Sequence, residues 1–239
     1  MGRLTSGTVV GRVSALWRYP VKSMGAESLD AVDVSWHGLA GDRRWAFVRD
    51  GMVHSGFPWL TIRERPDMGR YHPSFVEPEW PDRSDTVVRT PSGPVFNVVD
   101  PALACELGHG VRVIRHDRGL FDTLPLSLIS VQTVAAMGTA VGSVLDTLRF
   151  RPNVLLDIPG APFPEDAWVG AVLAVGAVRL RVDKRDGRCV MVNVDPRTGE
   201  RDPRVLRAIA RDRQACLGVY GSTVAPGRVA VGDVVIVEA

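Results

Sequence analysis

Short runs of alternating apolar residues, each cut off by a Gly, Pro or Asp-Gly turn signal, recur along most of the chain and restrict it to mainly β architectures. A period of two sends successive side chains to opposite faces of a strand, whereas a helix needs apolar residues three and four apart. Residues 9–18, 29–36 and 43–49 read as strands, the last following a turn at 38–42 and preceding a reversal at Asp50-Gly51. Residues 86–90 and 95–99 flank Pro91-Ser92-Gly93, a loop of hairpin length. Further strands are expected at 148–156, 171–182, 190–194, 219–224 and 234–238. Residues 57–85, rich in proline and charge, read as a long surface loop. Helices are signalled only where a cap precedes the apolar pattern: Asp100-Pro101 through Leu107, Ser130 through Val141, and Asp202-Pro203 through Arg211.

With 239 residues the chain has room for two modest domains. The strand pattern lapses at 118–125, which places the division between 1–118 and 119–239. No repeat or low-complexity tract is present, so the modules are expected to pack into one body. A net charge of +2 without a basic run gives no footprint for nucleic acid. The first ten residues carry no apolar signal core and no stretch approaches the ~20 apolar residues of a membrane span, so a cytoplasmic protein without a membrane partner is expected. Cys105, Cys189 and Cys216 form no CxxC and are expected to stay reduced.

Phosphate-loop, dinucleotide, nucleophile-elbow and zinc-protease motifs are all missing, and the five histidines lack i, i+4 spacing. What remains is a set of polar residues inside strand-like segments. In YPVKS (Tyr19 to Ser23) the proline must end or bulge the strand, leaving Lys22 and Ser23 on an irregular rim. Such a rim either holds an anion or is a solvated strand end. Lysine is rare here, only Lys22 and Lys184 against 27 arginines, so its use at position 22 favours a compact charge. GDRRW (Gly41 to Trp45) places Arg43 and Arg44 on opposite faces, so one turns inward to meet either Asp42 or an anionic ligand. FRPN (Phe150 to Asn153) offers Arg151 and Asn153 beside a helix-breaking proline. Cys189 follows a glycine turn and heads an apolar run, with Lys184, Arg185 and Arg188 nearby in sequence. Cations stabilise thiolate over thiol, so Cys189 is either reactive or a buried inert residue.

Taken in order, YPVKS, GDRRW, FRPN, PEDAW (Pro164 to Trp168), GRC followed by VDPRTG, and YGSTVAPGRVAVGD resemble the MOSC family, named for the molybdenum cofactor sulfurase C-terminal domain, preceded by its N-terminal β-barrel partner. The resemblance spans almost the whole chain and extends to the mitochondrial amidoxime reducing component and its bacterial counterparts. It implies a mainly β, α+β fold of two packed β-barrel-like modules. It implies Cys189 as ligand to the metal of a molybdenum cofactor (Mo-molybdopterin), with Lys22, Ser23, Arg43, Arg151, Asn153, Arg188 and Tyr220 around it. The cations would take the phosphate, and amide and backbone groups the pterin edge. Thr123 is carried over from a cofactor-contacting loop, although Leu124 departs from the family's pattern there. The activity implied is reduction of N-hydroxylated compounds, amidoximes or hydroxylamines, with electrons from a separate ferredoxin, flavoprotein or cytochrome. A sulfur carrier using a Cys189 persulfide and a non-catalytic binding barrel are the alternatives.

Overall fold

The computed structural model describes residues 7–52 and 54–238. In chain order the elements are β1 (Gly7–Arg18), β2 (Glu27–Leu29), β3 (Ala31–Ser35), β4 (Gly38–Leu39), β5 (Trp45–Arg49), β6 (His72–Phe75), β7 (Thr86–Arg89), β8 (Val95–Asn97), α1 (Pro101–Leu107), β9 (Val111–Arg115), β10 (Leu126–Ser130) and α2 (Val131–Val141). They continue through β11 (Val154–Asp157), β12 (Val172–Val175), β13 (Val178–Gly187), α3 (Pro203–Arg213), β14 (Cys216–Ala225), β15 (Gly227–Ala230) and β16 (Val234–Glu238). Among the described residues no helix is long and apolar enough to cross a membrane.

Seven strands close into a barrel in the order β11-β10-β14-β13-β12-β16-β1, and β1 returns to pair with β11. Closure leaves none of the seven with a free edge. Only β10 and β11 run parallel, with α2 carrying the chain between them; the other barrel pairs are antiparallel. Inward positions fill the barrel with Val13, Leu16, Leu128, Leu156, Leu173, Val182, Val219 and Val235. A second core lies among β5, β7, β9 and α1 and contains Phe47, Met68, Tyr71, Val88 and Leu103. A third joins α2 and α3 to the barrel wall through Met137, Val205, Ile209 and Leu217.

The mainly β, α+β architecture expected from the sequence is the one observed. Along the chain the expected division falls after residue 118, but pairing crosses it. Val32, Val34 and Leu39 from β3 and β4 sit in the barrel core, and β3 pairs with β15. The second core takes Val194 from the other side of that division.

Several local expectations are corrected. Residues 57–85 are no surface loop: Leu60, Ile62, Met68, Tyr71 and Phe75 are buried, and the segment contains a 3-10 turn at Pro66–Arg70 and strand β6. The expected strand at 148–156 is a 3-10 turn (Thr147–Phe150), a left-handed residue at Arg151, and then β11. Residues 190–194 form a 3-10 turn over Val190–Asn193, because Met191 and Val194 pack into one core while Val192 faces another. Strand β5 begins at Trp45, since Arg43 takes a left-handed turn conformation. Strands β4, β9, β10 and β15 lie outside the expected set, and the single strand expected at 171–182 is instead the antiparallel pair β12 and β13, reversed at Gly176. All three helices occur with the caps read from sequence, α3 running on to Arg213.

Candidate functional site

A cavity of about 210 Å³ opens where the barrel meets the second core. Its walls begin with two segments that lock together. After β1 the chain leaves the sheet at Pro20, and the Tyr19 amide donates to Asp42 Oδ1 at 2.7 Å while the Arg43 amide donates to the Tyr19 carbonyl at 2.7 Å. Gly41 makes this turn possible: its φ is +80°, and a Cβ there would strike Phe75 and Pro81. The Lys22 amide then bonds the Trp45 carbonyl at 2.8 Å, which fixes Lys22 and Ser23 at the rim of β5.

Ser23, Arg43 and Arg151 have φ of 68°, 50° and 51°, and they make up half of the six non-glycine residues with positive φ among the described residues. Each such conformation costs on the order of 1–2 kcal/mol. Strain gathered in the wall of one cavity is where binding sites keep it.

The lining carries six cations, Lys22, Arg43, Arg63, Arg149, Arg151 and Arg188, against two carboxylates, Asp122 and Asp186. Lys22 pairs with Asp122 and donates to the Leu120 carbonyl at 2.8 Å; burial lowers its pKa, against the raising effect of Asp122. Arg43 pairs with buried Asp42. Arg149 reaches Asp195 at 2.8 Å and the Asn193 carbonyl at 2.9 Å, which pins the turn following Cys189. Arg188 donates to the carbonyls of Phe150 at 2.7 Å and Leu217 at 2.8 Å, with Asp186 2.9 Å from its Nη2. Gly218, at φ +72°, leaves this space open, because a Cβ there would run into the Leu128 carbonyl and crowd Arg188 Nη2 at 3.3 Å.

Arg151 differs from these in having no carboxylate within ion-pair reach among the described residues. Its Nη1 donates to the Met24 carbonyl at 2.8 Å and its guanidinium stacks on Tyr19 at 4.2 Å, while its buried Nη2 has no hydrogen-bond partner among them. Burial lowers its pKa to about 10. Asp186 Oδ2 accepts from Ser127 Oγ at 3.0 Å, whereas its buried Oδ1 is unpartnered. Burial raises the Asp186 pKa, against the lowering by Arg188. Burial, reinforced by the charge of Asp186, pushes Tyr220 up to about 12, so its hydroxyl stays a neutral donor at physiological pH.

Lys22, Ser23, Arg43, Thr123, Arg151, Arg188, Cys189 and Tyr220, all expected from sequence, line this cavity. Asn153 does not. It is fully buried behind the wall, where Nδ2 donates to Asp42 Oδ2 at 3.0 Å and the Trp17 carbonyl at 3.2 Å, while Oδ1 accepts from the Ser127 amide at 3.2 Å. Its amide is spent on holding Asp42, and through it Arg43, in place. Of the two arginines of GDRRW, Arg43 turns inward and Arg44 pairs with exposed Asp82 at 2.9 Å.

The cation beside Cys189 is also not the one expected. Lys184 is exposed on β13, and Arg185 is tied to the Arg213 carbonyl at 2.9 Å and Asp166 at 3.3 Å. Instead Arg63 Nη2 stands 3.4 Å from Cys189 Sγ. Arg63 lies in the stretch misread as a surface loop, 126 residues away, and no local pattern marks it. Arg149 and Asp186 were likewise missed.

Two family models match the chain: the MOSC N-terminal beta barrel domain over residues 10–101 and the MOSC domain over residues 115–236. Among curated proteins, mitochondrial amidoxime reducing component 2 of Bos taurus is 24% identical, covering 94% of this chain and 82% of its own. Molybdenum cofactor sulfurase of Drosophila grimshawi is 27% identical over 84% of this chain, which spans only 31% of that longer protein. Among solved structures, the YuaD protein from Bacillus subtilis shares the fold at a TM-score of 0.53 and 13% identity, with 97% of each chain covered. The chain belongs to the MOSC domain family, with the MOSC N-terminal β-barrel domain ahead of the MOSC domain.

Proposed function

We propose that this protein carries a molybdenum cofactor with Cys189 as the thiolate ligand, and that it reduces N-hydroxylated compounds, amidoximes or hydroxylamines, with electrons from a separate ferredoxin, flavoprotein or cytochrome. One observation carries the reading: a single cavity combines an accessible thiol with a buried, unpartnered guanidinium nitrogen, Arg151 Nη2. A thiolate suits a thiophilic metal, and an unmatched buried donor suits a phosphate oxygen.

The rest of the donor set fits the same group. Lys22 and Arg43 add positive charge beside Arg151, and Asp186 Oδ1, an unpartnered acceptor, suits the N–H edge of a pterin. Ser23, Thr123 and Tyr220 supply hydroxyls, and Arg188 holds the strand end that presents Cys189. When bound, the cofactor supplies a two-electron centre for the net conversion of N–OH, two electrons and two protons to N–H and water. The name of the bovine relative supports the substrate class.

The sulfurase relatives support a second reading, in which Cys189 bears a persulfide and passes sulfur onward. Protein made in a cofactor-producing host separates the two. The reductase reading predicts about one molybdenum and one pterin per chain and reduction of benzamidoxime by a chemical one-electron donor. Labile sulfur without metal would decide for the carrier, and neither metal nor labile sulfur would leave a binding barrel.

A further inference from the structure

Each cation of the cavity other than Arg63 and Arg151 has a carboxylate within ion-pair reach: Asp122 for Lys22, Asp42 for Arg43, Asp195 for Arg149 and Asp186 for Arg188. Arg151 is buried at the cofactor wall. Arg63 is half-exposed, and its only polar side-chain contact among the described residues is the Cys189 sulfur.

The carboxylates that could neutralise Arg63 are committed elsewhere. Glu64 accepts from the Thr61 amide at 3.0 Å and the Thr61 hydroxyl at 2.7 Å, and pairs with Arg49 at 3.4 Å. Asp122 belongs to Lys22. The position of Arg63 is nevertheless fixed: its carbonyl accepts from Arg201 Nη2 at 2.7 Å, and its guanidinium lies 4.8 Å from the Phe57 ring centre. Arg201 is itself an exposed cation without an ion pair among the described residues, and it adds positive charge next to Arg63.

We propose that Arg63 selects substrates bearing an anionic group, pairing with a carboxylate of the N-hydroxylated compound while Phe57 offers a face for its planar part. This rests on the reductase reading. A held guanidinium that has no carboxylate ion pair among the described residues, only the sulfur that anchors the metal, keeps donors free for whatever is bound for reaction there, and a bidentate carboxylate is its matching ligand.

The test uses molybdenum-loaded protein and two probe pairs: benzamidoxime with and without a ring carboxylate as substrates, and the corresponding benzamidines for binding by calorimetry. The carboxylate is placed meta in one set and para in another. Wild type should favour the better carboxylated isomer by about tenfold in kcat/KM, expressed in KM, and by a similar factor in affinity. Arg63→Gln should bring both ratios to about one, Arg63→Lys should keep part of the preference, and Arg63→Glu should disfavour the carboxylated probes. Ratios unmoved by Arg63→Gln, or a loss of molybdenum from that variant with the ratios intact, would overturn the proposal. If wild type reduces neither substrate, the reductase reading falls separately. The calorimetric ratio still decides Arg63 in that case, and absence of any preference for the carboxylated benzamidines there also overturns it.

Discussion

At the scale of single residues, position relative to the wall separates groups that touch a ligand from groups that hold those in place. Asn153 belongs to the second kind, since every polar atom of its amide is matched to protein. Asn153→Ala would deprive the buried Ser127 amide of its side-chain acceptor and leave Asp42 Oδ2 with Arg43 as its one remaining side-chain donor, so a loss of about 1–3 kcal/mol in denaturant unfolding is expected. A change below about 0.5 kcal/mol, within the ordinary range of surface substitutions, would contradict that role. The sequence made the local cluster legible because YPVKS, FRPN and GRC each carry their chemistry within a few residues. Arg63 was illegible because its meeting with Cys189 depends on two cores closing against each other.

At the scale of elements, the caps were the most readable signal, because each acts within three residues. Ser130 ends β10 and caps α2, accepting from the Thr133 amide at 3.1 Å and donating to buried Glu165 at 2.9 Å. Glu165 makes no ion pair among the described residues, so this hydroxyl also satisfies a buried carboxylate. Ser130→Ala is expected to cost at least about 1–2 kcal/mol, read by chemical denaturation, with molybdenum content preserved in the folded fraction. Unchanged stability would show that the cap is dispensable. Apolar runs were read less well. Residues 190–194 alternate as a strand would, yet they feed two cores from a 3-10 turn. Residues 57–85 bury apolar side chains from irregular backbone, which no periodicity reports.

At the scale of the whole molecule, strand β1 closes the barrel while the segment that directly follows it places Lys22 and Ser23 in the cavity wall, so cavity and fold depend on one another. Pairing of this kind, between the first strand and the last, leaves no trace in a local pattern. All three tyrosines of the chain, Tyr19, Tyr71 and Tyr220, hold their protons above the ordinary value of 10.0, chiefly through burial, the latter two to about 12. Above pH 10 the unfolded chain therefore binds fewer protons than the native one, and stability falls as pH rises through that window. Phenolate absorbance should stay flat through pH 10 and then rise together with loss of circular dichroism. A phenolate titration near 10 in still-folded protein would contradict the burial of these rings. The central claim, that Cys189 anchors molybdenum, is tested most directly by the metal content of Cys189→Ala made beside wild type in a cofactor-producing host. The account predicts folded variant protein without molybdenum, against about one atom per wild-type chain. Equal molybdenum in the two would contradict it.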